Sequence, residues 1–177
     1  MRELTDNVKR KIRRIRLVAM DVDGVLTDGG MYYSESGDEM KKFHSQDGMG
    51  IKLLQSAGII TSFVTSEQTN LVQRRGNRLQ VHEIYQGTFE KKNVLSELCT
   101  KYNLSMEDVA FIGDDINDLD ALKYVGFSVA PSNAVLAVRE IVDFICECNG
   151  GAGAVREMSD LILHVQRTQL VHENLSS

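Results

Sequence analysis

The chain has 177 residues, 42% of them hydrophobic, and a formal net charge of −5; that length and composition describe one globular domain able to bury its own core. The acidic balance argues against a general nucleic-acid binder, so a small partner is expected. Three cysteines and four scattered histidines form neither an even disulfide set nor a paired zinc framework, which makes a reduced, cytoplasmic setting the expectation.

Residues 1–15 carry Leu4, Val8, Ile12 and Ile15 at helical spacing among Lys9, Arg10, Lys11, Arg13 and Arg14. This predicts a leading amphipathic helix with a solvated basic face, and no apolar run of signal-peptide or membrane-span length follows it. "RLVAMDV" predicts a buried strand that ends in Asp21 and Asp23. In "GGMYYSESGDEMKKFH", residues 29–44, β-formers flank Ser36, Gly37 and Asp38, the pattern of a β-hairpin. It projects from the end of the first strand, where it can cover a site or contact another subunit. A helix over Asp47 to Ala57, the strand "GIITSFVT", and helices from Glu67 to Leu79 and from Lys91 to Tyr102 come next. The strand "VAFIGDD", a helix over Asn117 to Val125, the strand "GFSVA", and a C-terminal helix and tail over residues 149–177 complete the series. Strands alternating with helices imply an α/β fold, a Rossmann-like doubly wound parallel sheet covered on both faces.

In such a sheet ligands bind beyond the carboxyl ends of the strands. Those ends read Asp21 and Asp23, then Thr65 and Ser66, then Asp114 and Asp115. A lone DxD is usually solvated turn chemistry, and an EF-hand is excluded because Val25 and Tyr32 stand where further acidic ligands are required. Acidic strand tips that converge repel one another unless a cation neutralises them, and hard oxygen ligands with room for water suit Mg²⁺. Gly24 and Gly113 fit places where the backbone turns sharply or approaches a ligand, or serve as ordinary strand-to-loop punctuation. Asp28 is expected to shape the turn into the hairpin.

"DVDGVLTD", Thr65 after an apolar strand, Lys91 opening a helix, and "GDDINDLDAL" together resemble the four motifs of the haloacid dehalogenase superfamily. The resemblance implies that Asp21 is a nucleophile forming an aspartyl-phosphate and that Asp23 is its acid/base partner. It also implies that Thr65 and Lys91 hold the phosphoryl oxygens, and that Asp21, Asp23 (through its carbonyl) and Asp114 ligate Mg²⁺. Charge logic agrees: a carboxylate attacking an anionic phosphate monoester needs a metal and a lysine to offset repulsion. Asp115, Asn117 and Asp118 either orient these groups or cap the following helix, with Asp118 the foremost orienting candidate.

The gaps between motifs leave no room for a cap domain of usual size. The hairpin, "FHSQDGMGI" and "NGGAGAVRE" resemble the capless sugar-acid phosphatases, the 3-deoxy-D-manno-octulosonate 8-phosphate group, and extend the likeness from about Arg16 to Ile162. That group implies a small sugar-acid phosphate as substrate and a homotetramer in which hairpins associate and tails help to close neighbouring sites, with neither nucleic acid nor membrane as partner. In it Arg156 is a substrate or neighbouring-site contact; otherwise it is a surface arginine at a helix start. "TSEQT" places Ser66 and Glu67 beside the site. The octulosonate enzymes usually read Thr-Gly-Arg there, whereas a glutamate resembles the nine-carbon, sialic-type 9-phosphate phosphatases and suits hydroxyl recognition; Glu67 also fits a helix start favoured by the macrodipole. "FICECNGGAGAVRE" is similar to the C-terminal domain of animal CMP-sialate synthetases as well, which keeps a non-catalytic tetramerisation module open. A receiver-type signalling domain is disfavoured, because its motifs run in a different order.

Overall fold

The structure is a computed structural model that describes residues 4–37 and 39–175, with side chains through Arg167. Its core is a six-stranded parallel sheet in the order β5-β4-β1-β6-β7-β8. The strands are β1 (Leu17–Met20), β4 (Ile60–Val64), β5 (Glu83–Tyr85), β6 (Val109–Ile112), β7 (Phe127–Ala130) and β8 (Phe144–Ile145). β1 lies between β4 and β6, with Met20 paired to Phe63 on one side and Ile112 on the other.

All four residues of β1 are buried, and they divide by parity between two cores. Val18 and Met20 join Ala110 and Ile112 under α1 (Asp6–Arg13), α2 (Ser45–Ser56), α3 (Asn70–Leu79) and α7 (Ala154–Leu175). Leu17 and Ala19 join Val109 and Phe111 under α4 (Lys91–Tyr102), α5 (Leu119–Tyr124) and α6 (Leu136–Arg139). Alternating side chains thus bury both faces, which is why the strand reads as an unbroken apolar run. Chain order reverses beside β1: β4, the next strand of this sheet, lies on one side and β6 on the other, so the crevice of the switch point opens above Asp21.

The hairpin forms as expected. β2 (Tyr32–Tyr33) and β3 (Glu39–Met40) pair antiparallel, with Tyr32 opposite Met40. Gly37 turns the chain at φ +86°, and Asp38 lies outside the described residues. Asp28 accepts from the Gly30 amide at 3.1 Å and the Tyr32 hydroxyl at 2.6 Å, which sets the entry to the hairpin. Met31, Tyr32, Tyr33 and Met40 remain exposed.

Several boundaries differ from expectation. The leading helix is shorter, running from a Thr5 cap to Arg13; Met1, Arg2 and Glu3 lie outside the described residues. Its basic face is solvated as expected, with Arg10, Arg13 and Arg14 exposed, while Lys11 pairs with Asp143 at 2.5 Å and Arg14 reaches Glu107 and Asp108. The helix expected from Glu67 begins at Asn70, because the Thr69 hydroxyl caps it by accepting from the Leu71 amide. The one expected from Asn117 opens as a 3-10 turn over Ile116–Asp118 before α5. Residues 150–153 precede α7 as turns, and Ser176 and Ser177 lie outside the described residues. β5 and β8 are short edge strands, and α6 is a single turn; none spans enough residues for periodicity to reveal it. Among the described residues no helix is long and apolar enough to cross a membrane, and Cys99, Cys146 and Cys148 are free.

Candidate active site

β1 delivers Asp21, whose amide donates to the Ile112 carbonyl at 3.0 Å, so the first residue past the strand is still tied to β6. The chain then coils tightly: the amides of Val25, Leu26 and Thr27 all point at the Val22 carbonyl. At its apex Gly24 has φ +87°, and a Cβ there would lie 2.1 Å from Asp114 Oδ2. Only glycine lets the β1 and β6 loops approach this closely. Gly113 serves the same end: a Cβ would meet Asp118 Cγ at 2.5 Å.

Asp21, Asp114 and Asp118 offer carboxylate oxygens that all lie within 4.8 Å of one another. Lys91, at the first position of α4, places Nζ 2.8 Å from Asp21 Oδ1 and 2.6 Å from Asp118 Oδ1. The second Asp118 oxygen accepts from the Asp114 amide at 2.9 Å and the Asp115 amide at 3.3 Å. Asp118 therefore braces the lysine and the β6 loop together. Burial opposes the charge on Lys91, but Asp21 and Asp118 hold its ammonium above the usual value.

One lysine does not balance three carboxylates. Burial, with Asp118 adding to it, pushes the Asp21 carboxyl up to about 7 against the pull of Lys91. Burial followed by Asp21, Asp118 and Asp115 pushes Asp114 up to about 8. Asp114 Oδ1 and Asp23 Oδ2 are buried without a hydrogen-bond partner among the described residues. Buried, unpartnered lone pairs beside a carboxylate cluster short of positive charge fit a divalent cation with oxygen preference.

Thr65 directly follows β4, is buried, and accepts from the Glu67 amide at 3.3 Å. Its own amide donates to Tyr85 of β5 at 2.9 Å, so the unexpected strand braces this residue. A cleft of about 430 Å³ opens beside Lys91, lined also by Phe89, Ile116 and Asn117.

Residues 66–158 match the haloacid dehalogenase-like hydrolase family. The 3-deoxy-D-manno-octulosonate 8-phosphate phosphatase KdsC of Haemophilus influenzae is 38% identical over 159 residues, 90% of this chain and 88% of that protein. The KdsC of Escherichia coli K12 is 38% identical over 160 residues, 90% of this chain and 85% of that protein. The crystal structure of the Moraxella catarrhalis 3-deoxy-D-manno-octulosonate 8-phosphate phosphatase, in complex with magnesium ion, phosphate ion and a KDO molecule, aligns with a TM-score of 0.90 at 36% identity over 98% of this chain and 99% of that one. The chain belongs to the haloacid dehalogenase-like hydrolases.

In this haloacid dehalogenase-like hydrolase the remaining candidates separate. Asp115 caps the 3-10 turn, accepting from the Ile116 amide at 2.7 Å. Asn117 lines the cleft, and Ser66 is half-buried next to Thr65. Arg156 directs Nε at both Asp160 oxygens, at 2.9 and 2.8 Å, while its amide donates to Asp47 Oδ1. Within one chain it is thus a surface arginine at a helix start, engaged on its own helix rather than with the acidic cluster.

Glu67 stands on a partner that sequence reasoning missed. Lys41, the first residue past β3, is 2% exposed in its side chain and sets Nζ 2.5 Å from Asp23 Oδ1 and 2.5 Å from Glu67 Oε2. Burial works against its charge, yet the two hydrogen bonds hold the ammonium above its usual value. In the sequence it is one of two adjacent lysines. The available signal was strand parity, which turns Lys41 away from exposed Met40 and Lys42.

Proposed function

We propose that this haloacid dehalogenase-like hydrolase is a Mg²⁺-dependent phosphatase of 3-deoxy-D-manno-octulosonate 8-phosphate. The observation that carries the reading is the buried Asp21–Lys91–Asp118 chain beside Asp114, in a protein whose relatives at 38% identity over 90% of its length carry that activity in their names.

Asp21 attacks phosphorus through a carboxylate oxygen; the bond from phosphorus to the sugar oxygen breaks, leaving an aspartyl-phosphate. Asp23 gives its proton to the departing sugar oxygen, then takes one from the water that cleaves the acyl phosphate and returns Asp21 to carboxylate. Lys91 and the Thr65 hydroxyl hold the phosphoryl oxygens, and Asp118 keeps Lys91 charged and aimed. Asp21, the Asp23 carbonyl and Asp114 would hold Mg²⁺, which supplies positive charge against the phosphoryl oxygens. Ser66, Glu67 and Arg156, the last from a neighbouring copy, bound the sugar-acid end.

Purified protein with Mg²⁺ is expected to release phosphate from the eight-carbon 8-phosphate with higher kcat/KM than from nine-carbon 9-phosphates, and Asp21→Asn to abolish release from both. Glu67 favours the nine-carbon esters as the second reading, and a reversed preference would establish it. Phosphate release that survives Asp21→Asn overturns the mechanism. A cytoplasmic homotetramer is part of the proposal, supported by the apolar residues that the hairpin leaves uncovered.

A further inference from the structure

The hairpin does more than project from the domain. Its return strand delivers a buried ammonium to Asp23, and that ammonium is already committed. Asp23 Oδ1 and Glu67 Oε2 each sit 2.5 Å away, Glu39 adds a third carboxylate at 3.9 Å, and 2% of the lysine side chain is exposed. A cation held in this way has little left for the phosphoryl group, a task that Lys91, against Asp21, fills.

The two Asp23 oxygens are unequal. Oδ1 takes Lys41 at 2.5 Å and the Thr27 hydroxyl at 3.5 Å. Oδ2 is buried and accepts from no described residue. A carboxylate pinned at one oxygen cannot swing about its side-chain torsions without breaking a short charge-assisted bond. Without Lys41, the Asp23 and Glu67 carboxylates, within about 5 Å of each other, would face one another with no counter-ion and push apart.

We propose that Lys41 is a positioning residue: it clamps Asp23 Oδ1, buttressed by Glu67, and so assigns Oδ2 as the atom that gives a proton to the leaving sugar oxygen and takes one from water. The inference rests on the phosphatase reading above. It makes the hairpin part of the acid/base machinery, and it makes Glu67 a tether of Lys41.

The test uses leaving-group dependence. The constant kcat/KM reports the steps through aspartyl-phosphate formation; expelling a sugar alkoxide there requires a proton, whereas expelling p-nitrophenolate does not. Lys41→Met is expected to lower kcat/KM for the octulosonate 8-phosphate about 100-fold, and for p-nitrophenyl phosphate less than about 10-fold. Lys41→Arg, which keeps a cation with donors, is expected to recover much of the difference, and the Mg²⁺-induced rise in Tm should persist in both variants. Equal losses on the two esters, or no loss on the sugar ester, overturn the inference while leaving the wild-type reading intact. A wild-type protein that turns over neither ester overturns the phosphatase reading itself and the inference with it.

Discussion

Asp118 is the residue on which the cluster's geometry depends most. Its carboxylate, fully buried, accepts from Lys91 Nζ and from the Asp114 and Asp115 amides. Asn in its place offers one acceptor and two donors where donors already converge, and removes the charge. Asp118→Asn is expected to lower kcat or Mg²⁺ affinity about 10- to 100-fold and to destabilise the fold by about 1–3 kcal/mol, since Lys91 retains Asp21. Steady-state kinetics, Mg²⁺ titration and denaturant unfolding check the three effects. The sequence admitted two roles for this residue, orienting group and helix cap, and the structure makes them one: the carboxylate that completes the capping box also holds the lysine. For Lys41 strand parity sets it apart from Lys42 but does not say which of the two turns inward. The two are equal as letters, yet their side chains are 2% and 61% exposed, a difference that arises only when the hairpin folds back over the β1 loop.

At the scale of elements, the hairpin carries two faces with separate tasks. One sends Lys41 inward; the other leaves Tyr33 66% and Met40 59% exposed, with Met31 and Tyr32 beside them. Each such side chain is about half exposed, so covering it gains on the order of 1 kcal/mol, which favours a second copy as its cover. Light scattering is expected to find the wild type tetrameric and the double variant Tyr33→Ser, Met40→Ser a smaller species, with an unchanged far-ultraviolet spectrum because neither residue belongs to the core. A tetramer that persists in the double variant removes the hairpin from the interface. The long buried strands and helices were readable from periodicity, as were Thr65 and Lys91 at their ends. β5 and β8 were not: at three and two residues they sit at sheet edges, half-buried, and their register with β4 and β7 defines them rather than their composition.

At the scale of the whole molecule the acidic site is expected to set the response to pH. Asp21 and Asp114, both near 3.8 as free side chains, are raised to about 7 and about 8 when folded without a cation. Between about pH 4 and 8 the metal-free folded chain therefore holds protons that the unfolded chain has released, and its stability falls as pH rises through that window. Mg²⁺ replaces those protons, so its stabilising effect grows in the same direction. Thermal unfolding with EDTA and with Mg²⁺ is expected to give a larger metal-induced rise in Tm at pH 8 than at pH 5; a larger rise at pH 5 contradicts it. By itself the sequence determined the alternation of strands and helices and the chemical types at the strand tips, because apolar periodicity and charge are local properties of the chain. Only the tertiary structure decided which of those tips share one crevice, which of two lysines enters it, and which Asp23 oxygen stays free. Those outcomes depend on strand register and on loops closing against one another across the switch point, contacts between residues far apart in the chain.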